Sequence, residues 1–160
     1  MTTTLFPTTP LTKAEKDVAA LAATGLGMHT IAARRGMAPS TVKKHLHVLR
    51  SKLNCTGAPQ HLLVHAILSA GQAPKPAALR PAPDVSPEQA RLWRALAAHR
   101  LAPDVGQAAG IGRYAVKRHT AHLLTAVGAR DLTHLVILGH AWGQLTEANP
   151  ALAHASEGDR

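Results

Sequence analysis

The sequence predicts an all-α chain made of two four-helix units in tandem, and three observations carry the prediction. Aromatic residues are only 2% of the 160, and Ala supplies much of the 46% apolar fraction. Sheets favour β-branched and aromatic side chains, whereas this composition packs well as short helices. The stretch 72–84, QAPKPAALRPAPD, splits the chain with four prolines in thirteen residues. Proline inside a helix removes a hydrogen bond and clashes with the preceding turn. Shifted by 74 residues, the two sides of that stretch align without a gap, and Gly36 falls on Gly110. Val42, Lys43, Lys44, His45 and Leu49 likewise fall on Val116, Lys117, Arg118, His119 and Leu123. Basic and apolar positions keep their order, as in an internal repeat.

Residues 1–10 read as a flexible N-terminus and 11–71 as the first unit. Thr12 suits the N-cap of a first helix, with Glu15 three residues on completing a capping box. Val18, Leu21 and Ala22 form its apolar face, and Gly25 ends it. A second helix runs from about Met28 to Arg35 with Ile31 and Ala32 inward, and Gly36 permits a tight turn. Ser40 is the expected N-cap of a third helix, on which Val42, Leu46, Leu49 and Leu53 form one stripe. Pro59 fits the first turn of a fourth helix carrying Leu62, Leu63, Ala66 and Ile67, ended by Gly71. Residues 72–84 then read as an extended linker of polyproline type, reaching roughly 40 Å if fully stretched.

The second unit, 85–143, follows the same plan. Ser86 and Pro87 open it, Leu92 and Leu96 face inward, and Val105 and Gly110 mark its second helix and turn. Val116, Leu123 and Val127 line the third helix, while Leu135, Val136 and Leu138 lie in the fourth. Residues 144–160 read as a flexible tail. Each unit buries only a modest core, so contact between the two is expected to add stability.

The formal charge is +9, of which 11–71 carries +6, 85–143 carries +4 and the linker +1, against −2 in the tail. A field of that sign attracts polyanions. Cys55 is the only cysteine, which excludes an internal disulfide, suits a reducing compartment, and reads as a small packed residue. The opening MTTTLFPTTP lacks the basic region and apolar core of a signal peptide, and no apolar run approaches the ~20 residues of a membrane span. The expectation is a soluble cytoplasmic, nucleoid-associated protein without membrane contact. Among eleven histidines, His61 with His65 and His119 with His122 share helix faces. No Cys pair or HExxH accompanies them, so they read as solvated or DNA-facing and no metal is expected. Neither a catalytic triad nor a Gly-rich phosphate loop is present, so no enzyme and no cofactor is expected. Trp93 and Trp142 read as core residues.

On the third helix of the first unit, Lys43, His47 and Arg50 follow i, i+4, i+7 spacing and share a face with Lys44 and Ser51 beside them. A helix fits the major groove of B-DNA, where Lys and Arg can donate to guanine O6 and N7. A charge run alone reads as a solvated face. The short helix and Gly turn just before it favour a groove reader instead.

The stretch LTKAEKDVAALAATGLGMHTIAARRGMAPSTVKKHLHVLRSKL resembles the LuxR/GerE-type four-helix helix-turn-helix domain of bacterial transcription regulators. LTxxE at the start, IA before the turn Gly, and STVKxH at the third helix carry the resemblance, which covers 11–71. It implies base contacts by Lys43, Lys44 and His47, phosphate contacts by Ser40 and Thr41, and a dimerising role for the fourth helix at 58–70. The second unit resembles the family more weakly. Arg113, Tyr114 and Ala115 stand for Pro39, Ser40 and Thr41, Ala121 for His47, and Leu124 for Arg50. Arg113, Tyr114, Lys117 and Arg118 are left as its candidate phosphate contacts. The family's usual receiver or ligand-binding domain does not fit in the chain, so control by phosphorylation or a small ligand is not expected.

These readings describe a sequence-specific regulator that binds double-stranded DNA through the first unit. The second unit is then a further DNA contact or a pairing partner, through fourth helices within one chain or in a homodimer. The competing readings are a module that binds RNA polymerase or another regulator, and an architectural or plasmid- or phage-maintenance protein that coats DNA.

Overall fold

A computed structural model describes residues 9–145, so the expectations for 1–8 and 146–160 lie outside the described residues. Between them run α1 (Lys13–Ala22), α2 (Met28–Arg35), α3 (Pro39–Lys52), α4 (Gln60–Ser69), α5 (Pro87–Ala98), α6 (Ala102–Ala109), α7 (Val116–Val127) and α8 (Leu132–Ala141). The described residues contain no strand, and no helix among them is long and apolar enough to cross a membrane. The protein is all-α.

Local chemistry fixes most boundaries. At α1 the Glu15 amide donates to Thr12 Oγ1 at 3.2 Å, and the Thr12 amide donates to Glu15 Oε1 at 3.1 Å. Ser86 and Gln89 form the same reciprocal pair at α5. Gly36 and Gly110 end α2 and α6 with φ of 63° and 73°, left-handed values that cost glycine little. Lys13 and Pro87, Met28 and Ala102, and Arg35 and Ala109 all stand 74 positions apart. The gap-free alignment fails at the fourth helix, because α8 opens two residues earlier than that shift predicts. Asp131 sets the new start, its carboxylate accepting from the His134 amide at 2.8 Å.

The third helices depart from expectation at their starts. Ala38, not Ser40, is the N-cap of α3, and Pro39 takes the first helical position. There its missing N–H is no loss and its φ is already set. In the second unit residues 113–115 form a turn and α7 begins only at Val116.

Two cores result. Val18, Ile31, Val42, Leu49, Leu63 and Ile67 are fully buried in the first. The second gathers around Trp93, whose Nε1 donates to the Leu135 carbonyl at 3.0 Å. They meet where α4 packs on α8. Val64 of α4 is fully buried in the second core, and Leu68 packs against both. Glu15 of α1 takes Lys52 Nζ of α3 at 2.6 Å. Burial raises that carboxyl, but the bonds from Lys52 and Thr12 outweigh it and hold the group below its usual value.

The proline-rich segment contains no helix, as expected, but it is not a loose tether. Arg80 Nη2 donates to the Val127 carbonyl at 2.7 Å, and Trp142 Nε1 donates to the Arg80 carbonyl at 3.0 Å. The guanidinium also lies 5.2 Å from the Trp142 ring centroid. A cation at the end of α7 complements the orphan carbonyls of that helix.

Candidate nucleic-acid interface

The rotation of α3 follows from its buried side. Val42 and Leu49 are fully buried against α1 and α2 and Leu46 nearly so, which leaves Lys43, Lys44 and His47 exposed on the other side. Ser40 and Thr41 are exposed at its start, where the first turn holds no acidic residue. The positive end of the helix dipole therefore adds to the lysines. Arg35 pairs with Asp17 at 2.7 Å and Lys52 pairs with Glu15. Among the described residues neither Lys43 nor Lys44 forms an ion pair.

Arg50 behaves differently from the rest of the expected set. It is half-buried, its Nε donates to the Ala58 carbonyl at 2.7 Å, and Nη2 donates to Gln60 Oε1 at 3.3 Å. The guanidinium thus braces the connection between α3 and α4. Cys55, in that connection, is a half-buried free thiol whose pKa is pushed up by burial, with Arg50 pulling the other way. A packed residue suits those surroundings better than a reactive one.

The second unit disperses its candidates. Arg113 and Tyr114 are exposed in the turn before α7, with the Arg113 guanidinium 4.9 Å from the Tyr114 ring centroid. Lys117 and Arg118 are exposed on the first turn of α7. Gly106 shows how tightly this turn is drawn onto α6, since a Cβ there would sit 2.8 Å from the Ile111 carbonyl oxygen. Leu124, in the place of Arg50, packs against the second core. Ser40, Thr41, Lys43, Lys44 and His47 therefore share one helix, while the second set divides between a turn and a helix.

His61 and His65 are not the solvated or DNA-facing residues their spacing suggested. Both are half-buried in the packing of α4. His65 Nδ1 lies 2.9 Å from Nε2 of His140, which is 4% exposed. Desolvation, and then the neighbouring His65 and Lys75, push His140 down to about 4, and burial with His61 lowers His65. The i, i+4 pair on α4 was visible in the sequence, but its partner lies 75 positions away. Among the described residues no group of three or more His, Cys, Asp or Glu side chains could hold a metal ion.

Residues 9–65 match the family model of the bacterial regulatory proteins, luxR family, a stretch that covers α1 to α3 and the first half of α4. No curated protein and no solved structure matches the chain.

Proposed function

We propose that the protein is a transcriptional regulator that reads duplex DNA in the major groove with α3 of the first unit. The observation that carries this reading is the exposed row of Lys43, Lys44 and His47, held over a Gly36 turn inside the stretch that matches the luxR-family model. Lys43 and Lys44 lie in the first turns of α3, the part of such a helix that usually reaches base edges. Ser40 and Thr41 contact phosphate beside the helix start, and Arg50 supports the α3–α4 connection more than it contacts DNA.

The second unit acts as the pairing partner of the first within the same chain. The packing of α4 on α8, with Val64 sunk into the second core, supports that role over a homodimer through either fourth helix. Arg113, Tyr114, Lys117 and Arg118 add phosphate contacts that position the chain without reading sequence. Loss of the first helical turn before Val116, together with Ala121 in place of His47, supports that division.

Footprinting on genomic fragments tests the proposal. A discrete protected site is the expected outcome. Uniform coating would replace it with the architectural reading. Absence of binding even at low salt, where phosphate contacts are strongest, would leave a module for RNA polymerase or another regulator.

A further inference from the structure

The second unit holds a groove of about 360 Å³ between α5, α6 and α7, edged by α4 and α8. Leu96, Val105, Val116 and Leu124 form an apolar floor. Arg100 and Lys117 also line it, both exposed, and no acidic side chain does. The size falls within the range of roughly 300–1,000 Å³ typical of small-molecule sites, as does an apolar lining with few polar groups.

Two side chains that line the groove are shorter than their counterparts in the first unit. Ala102 and Thr120 line it, and 74 positions earlier the first unit has Met28 and Leu46. Leu46 is 6% exposed in the first core, and Met28 packs against that core. At these two positions the second unit thus carries less side-chain mass than the first. Thr120 brings a second anomaly, because its Oγ1 is buried without a hydrogen-bond partner.

We propose that this groove is a binding site for a small amphiphile with an apolar body and one carboxylate. The body lies on Val105, Val116 and Leu124, and Arg100 and Lys117 hold the carboxylate at the edge. The inference does not depend on the DNA-binding reading. It reopens control by a small ligand without any added domain, since the diverged unit itself would be the receptor.

The test titrates the full-length protein with sodium decanoate below its micelle concentration, followed by methyl NMR and calorimetry. Saturable shifts confined to the groove methyls of Val105, Val116 and Leu124 are expected. The double variant Ala102→Met, Thr120→Leu restores the side chains of the first unit and is expected to abolish binding. Arg100→Gln, an exposed change that leaves the core intact, should weaken decanoate roughly 2–5-fold and leave 1-decanol unaffected. Absence of groove shifts at millimolar decanoate would overturn the proposal. Undiminished binding by a folded double variant, or equal weakening of the acid and the alcohol by Arg100→Gln, would do the same.

Discussion

Lys44, Arg34 and Arg50 are three cations of one unit, and their surroundings give them different tasks. Lys44 stands exposed on the outer side of α3, while Arg34 lies on α2 beside Asp17, Ala20 and Leu21 of α1. Lys44→Ala should relax base preference at one position of the site by ~1–3 kcal/mol. Arg34→Ala should hardly change affinity, and competition binding with single-base variants compares the two. Equal losses from both would sink the groove assignment. Arg50→Ala removes the bonds to Ala58 and Gln60, so it should lower stability by roughly 1 kcal/mol in urea unfolding. Its effect on base preference should be small. The i+7 spacing predicts a face shared by Lys43, His47 and Arg50, but it does not display the carbonyl that the next connection swings to within 2.7 Å of Arg50. At Ser40 the missed signal was adjacent, since Pro39 fits the first helical position too well to stay outside it.

At the level of helices, legibility follows the reach of the contacts. The boxes at Thr12 and Ser86 and the glycine ends of α2 and α6 are settled within a few residues, so the sequence displays them. Thr12→Ala should cost about 1 kcal/mol, measured as a lower urea midpoint. The register of α4 and α8 depends on a partner helix, and there the pattern named Leu62 and Ala66 but missed Val64. The same packing buries the His65–His140 contact, which works as a neutral pair in which one ring donates and the other accepts. Protonation of the accepting ring would set donor against donor, and a charge on either ring is poorly solvated there, with His61 and Lys75 adding positive charge nearby. Both folded values lie below the ordinary 6.5, so the unfolded chain takes up protons first as the pH falls. The stabilisation is therefore complete above pH 6.5 and is lost progressively toward pH 4, the value near which His140 itself titrates. The expected loss by pH 4.5 is on the order of 2–3 kcal/mol. His140→Gln should flatten the dependence of the melting temperature on pH in that window, and an unchanged slope would rule the pair out as its source.

Among the described residues the two units are held together at the seam of α4 and α8, with the proline-rich segment strapped to the second unit through Arg80. A charge at Val64 would lie fully buried in that seam, where an unpaired carboxylate is strongly unfavourable. Val64→Asp should therefore uncouple the units, so that urea unfolding splits into two steps instead of one. With α4 and α8 covering each other, the full chain should also sediment as a monomer through micromolar concentrations. A mass that rises with concentration would favour pairing between chains. On the proposed function, the seam has a quantitative consequence for control of expression. Regulators that assemble from separate subunits gain active species as a power of their concentration, which makes their response steep and gives it a threshold. A pair joined by thirteen linker residues meets itself at a fixed effective concentration, independent of how many copies the cell holds. Its occupancy of a promoter should then rise in simple proportion to its abundance at low levels, so the dose–response curve at an isolated site should have a Hill coefficient of about 1.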